Sequence, residues 1–292
     1  MRDSVGWVGT GVMGRSMCGH LLAAGYTVRV HTRTREKAAD LLAKGAAWAA
    51  TPREAAAGSD VIFSMVGFPA DVEEVILGPD GALAGASAGS VVVDMTTSQP
   101  SLAVRIHAAA AAKGVAALDA PVSGGDVGAR EAKLAIMVGG EQAAFDRVLP
   151  LLRKMGESIA LMGGPGSGQH TKMVNQIAIA GNMIGVVEGL LYAQRAALDP
   201  GAVIDAIGKG AAGSWSLNNL GRRIVKGDFN PGFYIKHFVK DMVIALDEAR
   251  RMRLSMPGLA LVHQFYVSAQ AVGLENLGTQ GLYQVLARMN GM

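Results

Sequence analysis

A single cysteine, Cys18, is all the sequence contains. No intrachain disulfide can form, and a reducing, cytoplasmic setting is the expectation. Charge is also sparse: 17% of 292 residues are charged, and the formal balance of +3 is dispersed along the chain. Nucleic-acid readers carry a basic stripe or patch, so that class is set aside. Six histidines with no i, i+4 pair, beside one cysteine, supply no metal-ligand cluster. No nucleophilic triad stands out, since Cys18 falls within an expected helix and has no evident base. The N-terminus shows no charged n-region, apolar h-region or cleavage site and runs straight into a strand pattern. The most apolar stretch, Ile177 to Ala193, is broken by Asn182 and Glu188 and is shorter than a bilayer span. A buried helix and no membrane partner are expected there.

Half of the residues are hydrophobic, and the 39 glycines fall at turns rather than in repeats. The chain is long enough for one large domain or two ordinary ones. SVGWV, Ser4 to Val8, is a short apolar run that ends at GTGVMG, Gly9 to Gly14. A helical pattern from Met13 through Leu22 stops at Gly25, and TVRVH, Thr27 to His31, is a second strand. A G-x-G-x-x-G sequence means dinucleotide binding only in such a strand–turn–helix–strand setting. Gly9 permits the tight turn, Gly11 lets backbone approach a pyrophosphate, and Gly14 lets helix and strand pack closely. Val12 and Met13 open the helix, whose free N–H groups and positive dipole end face the phosphates. The alternative is a tight turn without ligand.

The end of the second strand selects the nucleotide. An NAD site expects an acid there to bind the ribose 2′-OH. The sequence instead reads His31-Thr32-Arg33-Thr34-Arg35, with no acid before Glu36. Arg33, Thr34 and Arg35 offer guanidinium and hydroxyl groups suited to a 2′-phosphate, so NADP is expected, with NAD as the alternative. Both arginines could equally be solvated charges at a helix start.

The alternation continues with DVIFSMV, Asp60 to Val66, then a Gly67-Phe68-Pro69 loop, then VVVD, Val91 to Asp94. Val66 and Thr96 stand at the carboxyl ends of these strands, where open α/β sheets bind ligands. Thr96 has two readings, a contact to the nicotinamide ribose or a cap for the helix near Pro100. After Ala116 to Ala120 comes Pro121-Val122-Ser123-Gly124-Gly125, whose adjacent glycines allow N–H groups to converge on a carboxylate; an ordinary turn is the alternative. Leu134 to Val138 is expected as a strand at the sheet edge, Phe145 to Leu152 as a helix and Ser158 to Leu161 as a last strand. The first domain is thus expected at 1–162.

From Gly164 to Ala196 a glycine-rich turn leads into about thirty residues of helix-like apolar spacing without proline. Lys172 and Asn175, three apart, share a helix face. Such a helix at a change of pattern joins two domains, and ligand sites favour junctions, so Lys172 is expected to face a cleft. From spacing alone, however, a lysine in the first turns of a helix is usually solvated. Beyond it strand signals vanish. Asp199 and Pro200 open one helix as cap and first residue, Ile235 to Met252 forms another, and two more complete an all-helical domain at 163–292.

Four pieces then occur in order across nearly the whole chain: GTGVMG at Gly9, DAPVSGG from Asp119 to Gly125, GSGQHTKMVN from Gly166 to Asn175, and Lys240-Asp241. Together they resemble the β-hydroxyacid dehydrogenase family, which includes 3-hydroxyisobutyrate dehydrogenases and tartronate, glyoxylate and succinic semialdehyde reductases. The resemblance implies a Rossmann domain followed by an all-α domain, joined by the long helix. It implies that Lys172 is the catalytic lysine and that Ser123, Gly124 and Gly125 hold the substrate carboxylate. Asn175 is then a substrate-side residue, and Thr96 and Lys240 are cofactor contacts. Thr32-Arg33-Thr34 resembles the NADPH-using reductases, while FYIKHFVKD differs from the pattern of hydroxyisobutyrate enzymes.

The implied reaction interconverts a short β-hydroxyacid and its semialdehyde or keto acid, with Lys172 as general acid/base. The expected partner is a small carboxylate-bearing aldehyde or hydroxyacid, in a homodimer or homotetramer. Ala178, Ala180, Gly181 and Gly185 on the long helix would let another helix approach. An imine reductase-like enzyme is one alternative, although such relatives tend to replace the lysine. A non-catalytic NADP-binding protein is the other. Asp241 and Asp247 read as surface or pairing residues rather than acids in chemistry.

Overall fold

A computed structural model describes residues 3–292. They form two compact units, Met1–Lys172 and Met173–Met292, described separately below. Strands of the first unit are β1 (Ser4–Val8), β2 (Thr27–His31), β3 (Ala47–Trp48), β4 (Val61–Ser64) and β5 (Val91–Asp94), then β6 (Ala116–Asp119), β7 (Val122–Ser123), β8 (Leu134–Gly139) and β9 (Gly156–Gly163). Its helices are α1 (Val12–Ala23), α2 (Ala39–Ala43), α3 (Pro52–Ala56), α4 (Pro69–Leu77), α5 (Ala82–Gly85), α6 (Pro100–Ala111), α7 (Gly125–Arg130) and α8 (Gln142–Leu152).

The sheet runs β3-β2-β1-β4-β5-β6-β8-β7, parallel from β3 to β6. This is the doubly wound order, and it reverses between β1 and β4, so the carboxyl ends of those strands border the natural ligand crevice. VIFS in β4 and VVVD in β5 are buried at every residue, which is why they read as continuous apolar runs rather than alternations.

The strand expected at the edge is interior. β8 bonds antiparallel to β6 and β7 and parallel to β9, and every second residue from Leu134 to Val138 is buried. The outer strand is β9, which pairs with β8 alone and alternates toward solvent. A short strand's apolar face reports burial, and the identity of its neighbours is set by the crossover that follows.

The long helix α9 spans Ser167–Arg195, and the compact division falls inside it, after Lys172. Its later turns share the second unit with α10 (Pro200–Ile207), α11 (Arg222–Val225), α12 (Ile235–Arg251), α13 (Pro257–Ala271) and α14 (Leu282–Met289). Asp199 caps α10 by accepting from Gly201 N at 2.9 Å, with Pro200 first in the helix, as the sequence predicts. Phe238 of α12 meets Tyr266 of α13 edge to face, centroids 5.0 Å apart, and the Tyr266 hydroxyl donates to Thr279 O.

By length and composition α9 is apolar enough to cross a membrane, yet only 39% of its most apolar window is buried. The expectation of a buried helix is therefore corrected: one face enters the helical core through Ala180, Met183, Val187 and Leu190, and the opposite face is open. Of the small residues expected to admit a neighbouring helix, Ala180 is turned into that core, whereas Ala178, Gly181 and Gly185 are exposed.

Candidate active site

The glycine turn follows β1 at the reversal point. Gly9 has φ +98°, a conformation that side-chain-bearing residues avoid. A Cβ on Gly9 would collide with the Met65 carbonyl, and one on Gly14 would collide with the Gly9 carbonyl. Gly11 differs. Its φ is −65°, and a Cβ there would meet no protein atom within 4 Å. The protein leaves open the space beside the one glycine that needs no glycine for its own fold. Gly11 also starts α1, whose first turn has no side-chain cap and no acid, so its N–H groups and dipole end are available to an anion. Val12 is exposed there, and Met13 packs against the core. These residues fit a pyrophosphate.

At the end of β2, Arg33 Nη1 lies 3.3 Å from Asp71 Oδ1, with the arginine side chain 83% exposed. The Arg35 guanidinium sits over the Trp48 ring at 5.5 Å, and Trp48 in turn meets His31. Thr34 precedes a 3₁₀ turn, Arg35–Ala38, without capping it. Neither arginine is simply solvated. An exposed ion pair is worth about 0–1 kcal/mol, little to oppose exchange of Asp71 for a phosphate.

The carboxyl ends of β4, β5 and β6 are joined by buried polar groups. Thr96 accepts from Val66 N at 3.0 Å and donates its hydroxyl to Asp94. Its carbonyl accepts from Gln169 Nε2 at 2.7 Å. The capping reading of Thr96 is thereby corrected: α6 is preceded by Gln99, with no side-chain cap. Asp94 also accepts from Ser64 Oγ at 2.8 Å and from Thr96 N at 3.1 Å. Burial pushes its carboxyl up to about 6, against those hydrogen bonds, and the Asp119 charge adds to the rise. Burial raises Asp119 likewise, opposed by backbone N–H groups of Gly166 and Gln169.

Asp119 explains how two separated motifs meet. Its Oδ1 accepts from Gly166 N and its Oδ2 from Gln169 N, each at 2.8 Å. A carboxylate thus satisfies orphan donors at the start of α9, where the dipole favours negative charge. The approach requires bare backbone, because a Cβ on Gly139 or Gly168 would run into the Asp119 carboxylate. Gln169, fully buried, adds a second clamp: Oε1 accepts from Ser98 N at 2.9 Å while Nε2 holds Thr96 O. Lys172, three residues on, is 6% exposed. The solvated lysine suggested by spacing is corrected by this burial, which is rare for lysine without a partner. Ser123 ends β7 on the chain path leading from Asp119, and α7 begins at Gly125. Gly124 and Gly125 have φ +133° and +62°, so this stretch is a helix entry that keeps its backbone unshielded.

Asn175 and Lys240 lie in the second unit, linked by Gln176, which sequence reasoning did not assign, and by Asp241. Asn175 Nδ2 donates to Gln176 Oε1, and Gln176 Nε2 donates to Asp241 Oδ2, both at 2.6 Å. Lys240 Nζ is 3.1 Å from Asp241 Oδ1. Asp241 is a pairing residue, as expected, but a buried one; Asp247 pairs with Arg250 nearer the surface. The missed residues left faint signals: acids closing two adjacent strands, Asp94 and Asp119, and glutamines seven apart on one helix, Gln169 and Gln176.

Residues 4–164 match the NAD binding domain of 6-phosphogluconate dehydrogenase. Residues 166–286 match the NAD-binding domain of NADP-dependent 3-hydroxyisobutyrate dehydrogenase. The chain is 53% identical to the probable 3-hydroxyisobutyrate dehydrogenase-like 1, mitochondrial, of Arabidopsis thaliana, over 99% of this chain and 86% of that one. It is 40% identical to the 2-hydroxy-3-oxopropionate reductase of Escherichia coli, over 98% and 97%. Among solved structures, the Mycobacterium tuberculosis 3-hydroxyisobutyrate dehydrogenase with L-serine superposes with a TM-score of 0.89, at 28% identity over 98% and 99%.

Proposed function

Because the chain belongs to the β-hydroxyacid dehydrogenase family and is an NAD(P)-dependent oxidoreductase acting on CH–OH groups, we propose the following reaction. It interconverts a short β-hydroxyacid and its semialdehyde or keto acid with NADP, and Lys172 is the general acid/base. The observation that carries this reading is the burial of Lys172 one turn past a helix start clamped by Asp119 and Gln169. A lysine held there is a fixed group, not a mobile surface side chain.

The residues that would hold the dinucleotide are Gly9, Gly11, Val12, Met13 and Gly14 at the pyrophosphate, with Val66, Thr96 and Lys240 toward the nicotinamide. Arg33, Thr34 and Arg35 would take the 2′-phosphate, a role supported by the absence of any acid from His31 to Arg35. When bound, the cofactor supplies hydride exchange at the carbon carrying the oxygen. In the reducing direction the Lys172 ammonium polarises the carbonyl oxygen and passes it a proton as negative charge develops. In the oxidising direction the same nitrogen removes the hydroxyl proton. Ser123, Gly124 and Gly125 hold the substrate carboxylate and so fix the carbonyl's position. Asn175, three residues from Lys172 and on the same helix face, holds the substrate oxygen side. The exposed Ala178, Gly181 and Gly185 support a homo-oligomer built on α9.

The test pairs purified protein with NADPH or NADH and with glyoxylate and the succinic, tartronate and methylmalonate semialdehydes, following loss of reduced-nicotinamide absorbance. Turnover with at least one, faster with NADPH, is expected. Lys172→Ala should lose about 10²–10⁴-fold in kcat while still binding NADPH. Near-normal turnover in that variant sinks the lysine assignment, and no oxidation across the panel sinks the reading as a whole.

A further inference from the structure

The motifs give site roles to Asn175 and Lys240 but none to the side chains that connect them. Gln176 and Asp241 are almost wholly buried. They stand in an unbroken series within the second unit: Asn175 Nδ2 to Gln176 Oε1, Gln176 Nε2 to Asp241 Oδ2, and Asp241 Oδ1 beside Lys240 Nζ.

The chemistry of the donors gives this series one direction. A carboxylate paired with lysine only accepts hydrogen bonds, whereas an amide has one donating and one accepting end. Gln176 must therefore turn its NH₂ group to Asp241. Its carbonyl is left facing Asn175, which can answer only with its own NH₂. The order of atoms is dictated by the charge at one end, so it does not depend on which way either amide is drawn. At the other end, Oδ1 becomes the atom of Asn175 with accepting capacity outside the series.

We propose that Asp241 and Gln176 are positioning residues that make Asn175 present its carbonyl oxygen, rather than its NH₂, to the substrate. This rests on the proposed hydroxyacid reaction and deepens it. An acceptor at that place favours a hydroxyl or an ammonium over a bare carbonyl, so the series would bias the site toward the alcohol and toward a charged lysine. A reversed series would offer a donor to the same oxygen and compete with the lysine's own task. Buried hydrogen bonds to a charged group are also among those that hold geometry best.

The test reverses and restores the series. Q176E sets two carboxylates against each other. The double variant Q176E/D241N carries one charge again, and its new amide donates to the new carboxylate, which still accepts from Asn175. Q176L, neutral and of similar size, breaks the series without adding charge. The first readout is the Asn175 side-chain NH₂ signal in isotope-labelled protein without cofactor. It should be protected from exchange in wild type and in Q176E/D241N, whose carboxylate at 176 still accepts from it, and unprotected in Q176L, which leaves it no acceptor. The second is the split between kcat and KM on a substrate the wild type reduces. Q176E and Q176L should lose about 10- to 100-fold in kcat, the worth of a charged hydrogen bond, with the NADPH KM little changed. Q176E/D241N should recover most of that loss.

A freely exchanging Asn175 NH₂ in wild type, or a double variant no better than Q176E, overturns the proposal. Should wild type reduce no substrate at all, the reaction reading fails, and the amide signal alone still decides whether the series exists.

Discussion

Asp94→Asn should stabilise this protein at neutral pH, although it removes a charge from a fully bonded site. Asp94 closes β5 and is 4% exposed, with Ser64 and Thr96 donating to it. Burial nevertheless dominates and lifts its carboxyl from 3.8 to about 6. Between those values the folded protein keeps a proton that the unfolded chain has released, so stability falls as pH rises, and above about 6 the whole penalty is present. At 1.36 kcal/mol per unit, the gap amounts to about 3 kcal/mol. Asparagine keeps the oxygen that accepts from Ser64 Oγ and Thr96 N and adds no charge, but it loses part of the acceptor for the Thr96 hydroxyl. A net gain of about 2 kcal/mol at pH 8 is the expectation. Urea unfolding of both proteins without cofactor, from pH 4 to 8, gives the difference directly. Carboxylates not coupled to Asp94 cancel in that difference, such as Asp60, which hydrogen bonds from Ser4 hold below its usual range, while Asp119, relieved of the Asp94 charge, adds to the gain. The gap should be near zero at about pH 4, open through pH 5–6 and level off above pH 7. A gap that does not change with pH, or a variant less stable at pH 8, refutes the reasoning.

Two further variants probe the site's scaffolding. Gln169→Leu leaves Ser98 N and Thr96 O buried without partners, so about 2–4 kcal/mol of stability should be lost, read as a lower urea midpoint; a loss below about 1 kcal/mol would mean these groups find other partners. Gly11→Ala and Gly14→Ala should separate binding from folding. The first meets no protein atom and should cost at most about 1 kcal/mol, alanine being a poorer helix N-cap than glycine, yet lose NADPH affinity in a fluorescence titration. The second must displace the Gly9 carbonyl and should cost about 1–3 kcal/mol. Unchanged NADPH affinity in Gly11→Ala would remove the pyrophosphate from that turn.

The fold was legible where burial is two-sided and local. β4 and β5 announce themselves as VIFS and VVVD because both faces of a parallel sheet are covered, and α10 announces itself through Asp199 and Pro200. The short helices α3 and α5 carry too few turns for a periodic pattern, and no element was assigned to them or to α4 from the sequence. The place of β8 could not be read, since its three partners are chosen by a reversal after β6 that no residue in LAIMV encodes. In the site, the residues proposed to meet cofactor or substrate sat in recognisable motifs. Gln176 and Asp94, which bond to other side chains, had no pattern of their own, and Gln169 lay within a motif that gave it no role, because a hydrogen-bond partner far along the chain leaves no mark in local spacing.

Asp119 shows how a residue inside a motif can serve the fold through backbone groups alone. Its carboxylate needs three separate stretches: its own strand end, a bare backbone at Gly139, and the Gly166–Gln169 turn that starts α9. A side chain on Gly139 or Gly168 evicts it, and its loss leaves two buried N–H groups at a helix start without an acceptor, each worth about 1–3 kcal/mol. The same carboxylate places the first turns of α9, through Lys172, in the Rossmann unit, while Met173 onward belongs to the helical one. The strand pattern ends at Leu161 in sequence, which is where a reading of periodicity puts the boundary, at 162. Compactness puts it ten residues later, because Asp119 and Gln169 bind the helix start to the ends of β5 and β6. The turn of α9 that carries Lys172 is therefore fixed within the first unit, through an aspartate and a glutamine bonded to the helix start.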